Sequence, residues 1–133
     1  MAEHIASLDM SAFVLDYDHN APTPEHLKNT HEKFFSIIRE KHPDLPIVIA
    51  SKPDCRMGDD SQVRKSIILE TVANARAKGD NNVYFVDGET MFDLLDRSMC
   101  TVDSAHPTDI GFYCMAKAFY PVLKKILYPG EGK

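Results

Sequence analysis

The stretch TVDSAHPTDIGFYCMAKAF, Thr101 to Phe119, sets an acid three residues before a histidine and then opens a helix at once. Asp103 and His106 are the residue types that acyl transfer requires. An imidazole takes the proton of an attacking hydroxyl and later returns it to the leaving group, while a carboxylate fixes the imidazole's tautomer and stabilises the imidazolium. The structural alternative is a polar loop closed by Pro107 and capped at Thr108. A bare D-x-x-H carries little weight. Followed by PTDIG and an amphipathic helix at the end of an α/β chain, it becomes far more specific.

The elements that must position this pair are legible as three apolar runs separated by helical periodicity. The runs are Ala12 to Tyr17 (AFVLDY), Pro46 to Ser51 (PIVIAS) and Val83 to Gly88 (VYFVDG). They are continuous rather than alternating, which predicts strands of a parallel sheet buried on both faces. Thr23-Pro24-Glu25 supplies an N-cap, a proline at the first helical position and an acid in the first turn. Leu27, Phe34 and Ile38 then repeat at helical spacing until His42-Pro43 stops the run. A second helix is predicted from near Ser61 to Gly79, with Val63, Ile67, Val72 and Ala75 on one face. A third starts at Thr108 and carries Phe112, Met115, Phe119, Val122 and Ile126 inward, ending at Tyr128-Pro129-Gly130. Ala2 to Leu8 adds a helical turn or two. Tyr84, Phe85, Phe112 and Phe119 are expected in the core, and Glu89, Asp93 and Asp96 on a solvated face. The pattern predicts a single α/β domain over residues 1–133 with right-handed crossovers. Its chemistry belongs beyond the carboxyl ends of the strands.

The chain has 133 residues, 44% hydrophobic and 26% charged, with 15 basic and 20 acidic side chains and a formal charge of -5. No basic patch stands out, so nucleic acid is not an expected partner. No apolar stretch approaches the length of a membrane span, and the first residues do not read as a signal peptide. Cys55, Cys100 and Cys114 are odd in number and lack C-x-x-C spacing, which fits a reducing, cytoplasmic compartment better than a disulfide framework or zinc site. The loop from Lys52 to Asp60 is the expected mobile segment.

With those residues in place, the sequence resembles the SGNH (GDSL-like) hydrolases. Their last block carries the catalytic Asp and His as D-x-x-H-P, and here it reads DSAHPTDIG. A second likeness lies in FVLDYDHNAPTPEHL, which is similar to the family block whose asparagine donates to the oxyanion. That resemblance makes Asn20 the donor, although Gly-x-Asn-Asp is replaced here by Asp-His-Asn-Ala, and Asn20 equally suits an ordinary turn. It implies a flavodoxin-like three-layer fold, of which about three strands are visible. It also implies a serine ester hydrolase without cofactor or metal, acting on a small acyl ester, acetyl or carbohydrate esters included. The family's nucleophile lies in a Gly-Asp-Ser-type motif after the first strand. Serines 7, 11, 36, 51, 61, 66, 98 and 104 are this chain's complement, and none sits in that motif; GDDS, Gly58 to Ser61, follows the wrong strand. The chain is therefore expected to be the C-terminal part of such a domain and inactive alone. In a sheet ordered 2-1-3-4-5, loss of the first two strands leaves Ala12 to Tyr17 as an exposed apolar edge, so a homodimer through that edge is expected.

Two other readings compete. FVLDYDHN ends a strand in D-x-D, the place where haloacid-dehalogenase-like phosphatases hold a nucleophilic Asp and an acid/base Asp. Asp16 and Asp18 would fill those roles, with Ser51 binding phosphate and Asp87 holding Mg²⁺. That reading leaves DSAHPTDIG without a purpose. The other is a non-catalytic α/β fragment that self-associates. His19, His26 and His31 invite a metal reading, but His26 and His31 are five apart and read as solvent-exposed helix histidines.

Overall fold

Three parallel strands, β1 (Phe13–Leu15), β2 (Ile47–Ala50) and β3 (Val83–Val86), pair in the order β1-β2-β3. The computed structural model describes residues 1–53, 60–93 and 96–130. Helices α1 (Ala2–Ala6), α2 (Pro24–Lys41), α3 (Ser61–Ala77) and α4 (Asp109–Leu127) complete the fold. The predicted α/β class and the three strands are thus present, each strand shorter than its apolar run. Residues on the predicted Lys52–Asp60 loop from 54 to 59, Arg56 and Gly58 among them, lie outside the described residues, as does Cys55. Cys100 and Cys114 are buried. No helix among the described residues is long and apolar enough to cross a membrane.

Two layers of side chains sandwich the sheet. Against α2 and α3, Leu15, Ile47, Ile49 and Val83 meet Leu27, Phe35, Ile38, Ile68 and Val72. On the opposite face, Val48, Ala50 and Val86 meet Phe92, Cys100 and Cys114, with α4's Met115, Phe119, Val122 and Ile126 packed around them. Each fully buried aliphatic or aromatic side chain contributes roughly 1.5–3 kcal/mol. The helix starts form as their sequences dictate. Thr23 Oγ1 accepts the His26 N–H at 3.1 Å with Pro24 at the first helical position, and Thr108 Oγ1 accepts the Gly111 N–H at 3.2 Å.

Four predicted placements are corrected. Val14 is exposed although it sits in an apolar run, because no strand among the described residues pairs beyond β1 and α4 lies over β3. Phe112 is exposed for a related reason: α4 carries more apolar surface than its contact with the sheet covers. Val63 is half exposed because α3 turns Ser61, Arg64, Ile67, Thr71 and Ala75 inward, and residue 63 falls off that face. His31 is fully buried instead of solvated. Its Nδ1 is 2.8 Å from Thr71 Oγ1, its ring stacks on Tyr17, and its Nε2 meets no hydrogen-bond partner among the described residues.

Across the carboxyl edge of the sheet runs a set of polar bonds. Asp18, just past β1, is 1% exposed. Its Oδ2 accepts the Lys52 N–H past β2 at 2.9 Å, and its Oδ1 lies 3.4 Å from Arg64 Nη1 of α3. The same guanidinium donates to the carbonyls of Asp18 and Ala21, both at 3.1 Å, and through Nε to Asp60 at 2.7 Å. The second crossing joins β2 to β3, where Gly88 N–H donates to the buried Ser51 Oγ at 2.8 Å. A Cβ at Gly88 would stand 2.0 Å from the Lys52 carbonyl, so only glycine permits this approach.

Two measurements check these assignments. Arg64→Met leaves the Asp18 carboxylate buried without its cation, and urea denaturation should show a loss of about 3–5 kcal/mol. Adding Asp18→Asn should recover part of it. Burial lowers the pKa of His31 from 6.5 to about 4, against the opposing charges of Asp18 and Glu32. The unfolded chain takes up the proton near pH 6.5 and the folded chain only near 4. Stability held above pH 6.5 is therefore lost as the pH falls, by about 3 kcal/mol between pH 7 and 4. His31→Gln should show a correspondingly smaller loss over the same range.

Candidate active site

Asp103 and His106 stand on the loop between β3 and α4. A 3₁₀ turn at Arg97–Met99 leads into it, and its two ends are drawn together by an isolated bridge between Thr101 and Pro107. Val102 N–H donates to the His106 carbonyl at 2.9 Å. Thr108 N–H donates to the Cys100 carbonyl at 2.9 Å, and Thr108 Oγ1 donates to the Met99 carbonyl at 2.8 Å. Thr108 therefore caps α4 and clamps the loop with one side chain. Gly111 completes the clamp: a Cβ there would lie 2.1 Å from the Cys100 carbonyl oxygen, so the first turn of α4 can press directly on that backbone.

Within the loop, Asp103 works with both oxygens. Its Oδ1 accepts the backbone N–H groups of Ala105 at 3.0 Å and His106 at 2.8 Å, an Asx-type turn. Its Oδ2 lies 2.7 Å from His106 Nδ1. Ser104 takes a left-handed conformation, φ 71°, to let the loop reverse inside this span. The hydrogen bonds from His106 and Ala105 hold the Asp103 carboxyl well below the usual carboxylate range. It is thus an ionised acceptor that selects the Nδ1–H form of the neutral imidazole and turns Nε2 outward. The ring is 81% exposed, and Nε2 makes no hydrogen bond among the described residues.

Asn20 lies elsewhere. It ends the 3₁₀ turn Asp18–Asn20 past β1, with its backbone N–H on the Tyr17 carbonyl at 3.1 Å and its side chain exposed. β1 and β3 are the outer strands of the sheet, about 10 Å apart at the spacing of paired strands. The structure bonds Asp103 to His106 and bonds Asn20 to neither. Among the described residues no serine hydroxyl is bonded to His106. Ser51 accepts from Gly88, Ser66 donates to the Val63 carbonyl, Ser98 donates to Asp96, and Ser7 donates to the His4 carbonyl.

The residues of the phosphatase reading are committed to the fold. Asp18 is buried against Arg64, so a guanidinium occupies the side a cation would need. Ser51 is buried under Gly88. Asp87 caps the 3₁₀ turn Gly88–Thr90 through the Glu89 N–H and pairs with Lys65 at 2.7 Å. Glu89, expected on a solvated face, shares Lys65 at 2.9 Å. Asp16 alone stays accessible; partial desolvation raises its pKa, His19 opposes the shift and Asp18 adds to it. Among the described residues no group of three or more His, Cys, Asp or Glu side chains could hold a metal ion.

A concavity of about 530 Å³ between α2 and α3 lies at the far, amino end of the sheet. Its arginine, Arg39, is saturated by Asp80 at 2.8 Å and by the carbonyls of His42, Pro43, Leu45 and Asn82. Sequence reading missed Thr108's second bond, the Ser104 turn, Gly111 and Arg64. The glycine in HPTDIG was the one visible signal, four residues after the proline.

None of the curated proteins matches the chain. A Bacteroides ovatus protein described as a GDSL-like lipase superposes with a TM-score of 0.80 at 32% identity, covering 95% of this chain and 39% of its own. The salicylyl-acyltransferase SsfX3 from a tetracycline biosynthetic pathway shares the fold, with a TM-score of 0.71 at 20% identity, over 96% of this chain and 41% of its own. An active-site mutant of a family two carbohydrate esterase from Clostridium thermocellum does so with a TM-score of 0.63 at 24% identity, over 79% and 31%. The chain thus spans about two fifths of the length of the solved structures it matches most fully. The family model for GDSL-like lipases and acylhydrolases matches residues 1–124. On that match, carried by nearly the whole chain and by the same α/β layers, the protein belongs to the GDSL-like lipase/acylhydrolase family.

Proposed function

We propose that this chain supplies the acid–histidine half of a serine ester hydrolase and is inactive by itself. The observation that carries the proposal is the 2.7 Å contact between Asp103 Oδ2 and His106 Nδ1, with Nε2 left open to solvent. Family membership and the fold support it.

In the completed domain, a serine Oγ–H gives its proton to His106 Nε2 as Oγ bonds to the ester carbonyl carbon. Asp103 stabilises the resulting imidazolium. The carbonyl oxygen gains the charge, and Asn20, on the loop past β1, is assigned to donate to it. Collapse of the tetrahedral species breaks the carbon–oxygen bond to the leaving alcohol, which takes the proton from Nε2. Water, deprotonated by the same nitrogen, then releases the acid and restores the serine. The substrate class is a small acyl ester, carbohydrate esters included. The serine is assigned to the upstream block that the family places after its first strand, because no serine of this chain lies in such a motif and none is bonded to His106 among the described residues.

Two measurements test this. The chain alone should hydrolyse p-nitrophenyl acetate no faster than its His106→Ala variant; a His106-dependent rate would reveal a nucleophile within these 133 residues. Joined behind the upstream part of the Bacteroides ovatus relative, it should hydrolyse the same ester and lose roughly 10²–10⁴-fold on His106→Ala. The orienting role of Asp103 has its own readout. In ¹⁵N spectra taken above the imidazole's titration, His106 should carry its proton on Nδ1 in the native chain, and Asp103→Ala should shift that population toward Nε2. An unchanged tautomer ratio would remove Asp103 from the mechanism.

A further inference from the structure

On α4 one row of side chains faces away from the sheet. Cys114, Ala118, Val122 and Ile126 pack inward. At about 3.6 residues per turn, Tyr113, Lys117, Tyr120 and Lys124 fall on the opposite side of the helix, and Tyr128 at its C-cap continues the row. Exposure agrees with that placement: Tyr113 is 62%, Tyr120 63% and Tyr128 58% exposed. Lys117 Nζ lies 5.6 Å from the centroid of the Tyr113 ring, and Lys124 Nζ 6.0 Å from that of Tyr120. Pro121, beside the row, has no N–H to give the Lys117 carbonyl, so that oxygen loses its helical donor. A concavity of about 460 Å³ follows the C-terminal half of the row, lined by Tyr120, Pro121, Lys124, Lys125, Tyr128 and Pro129.

The charge of this segment opposes that of the chain. The formal charge is -5, yet Ile110 to Gly130 carries three lysines and no Asp or Glu. We infer that the outer face of α4 binds a linear acidic polysaccharide, one with a carboxylate on alternate sugars. Ring and cation each recur seven residues apart, at Tyr113 and Tyr120 and at Lys117 and Lys124. That interval is about 10.5 Å along the helix axis. A fitting ligand must repeat both an apolar plate and an anion at the same interval, and an extended polysaccharide advances by a similar distance over two sugar units. Each tyrosine offers a ring to the C–H face of a sugar and a hydroxyl to its rim. Each lysine donates to a carboxylate, and the Lys117 carbonyl accepts from a sugar hydroxyl. Neither Asp103 nor His106 takes part, so the inference stands apart from the hydrolase reading.

Other anionic surfaces fit less well. A helix that lies in a membrane interface keeps its cations on the polar face and its large apolar side chains on the other. Here the lysines share one line with the rings. A nucleic-acid strand brings a phosphate at every nucleotide, and its capture takes a longer run of cations than this row holds.

Affinity gel electrophoresis of the chain tests the inference, with hyaluronan as the acidic polysaccharide and hydroxyethylcellulose as a neutral one. Hyaluronan should retard the chain relative to a plain gel, and hydroxyethylcellulose should do so far less. Tyr120→Ala, and Lys117→Gln combined with Lys124→Gln, should each raise the Kd by roughly fivefold or more. Lys33→Gln, on α2 and outside the row, should leave it unchanged. Far-UV circular dichroism of each variant should match that of the native chain; if Tyr120→Ala loses helix, Tyr120→Leu decides. Absence of retardation overturns the inference, as does retardation that the lysine pair alters and Tyr120 does not, which marks a mere ion-exchange surface. Tighter binding to phosphatidylserine vesicles or to oligothymidylate than to hyaluronan, lost in the same variants, assigns the row to a membrane or a nucleic acid and overturns it too.

Discussion

Asp18 carries a charge into the interior, and that burial is tolerable only because Arg64 and the Lys52 N–H meet it there. Replaced by well-packed apolar groups, such a pair often leaves stability unchanged or raised, so its contribution here is positional. One carboxylate fixes the turn after β1 to the backbone after β2 and to the first turns of α3. One residue earlier, Ser51 passes the connection to β3 through Gly88. The three strand ends, from which the loops bearing Asn20 and leading to His106 depart, are thereby held at fixed separation. A loosened Asp18 would release the Asn20 turn first, because Arg64 also bonds the Asp18 and Ala21 carbonyls on either side of it.

The paired acid and histidine are held in a different way. Every restraint on them is local: two backbone N–H groups on Asp103 Oδ1, the imidazole on Oδ2, and the Thr108 and Gly111 clamp onto Met99 and Cys100. These restraints all lie within residues 99–111, which explains why a ring so exposed still has a defined orientation. Exposure also limits what the pair can do. A charge-assisted bond in water is screened, and the same bond in a closed, water-poor site is stronger. In the proposed hydrolase, a closed site over His106 would therefore strengthen the bond that Asp103 already makes to it.

Much of this was legible in the sequence because it depends on short-range rules. The caps at Thr23 and Thr108, the stop at His42-Pro43 and the three apolar runs all formed, and the D-x-x-H spacing produced a bonded pair. The misreadings share one cause. His31 on α2 looked like a surface histidine because its neighbours in sequence are polar, yet it faces Thr71 of α3, forty residues away. Asp18 looked catalytic because it ended an apolar run beside Asp16, and only Arg64 on another helix shows that it is occupied. Val63 and Phe112 were assigned inward by periodicity, which fixes a stripe but not whether a neighbour stands opposite it. Partners far apart in sequence decided each case.

Val14 and Phe112 differ from His31 in one respect. The partner of His31 is present in the chain and was merely invisible to local rules. The partners of Val14 and Phe112 are not found among the described residues at all, although both side chains are of the kind that ordinarily fills a core. One face of the three-stranded sheet is fully layered, while the other is covered over Val48, Ala50 and Val86 and leaves Val14 bare. The apolar run at β1 was read as a strand buried on both faces; the strand formed, but Val14 stands exposed on one of them.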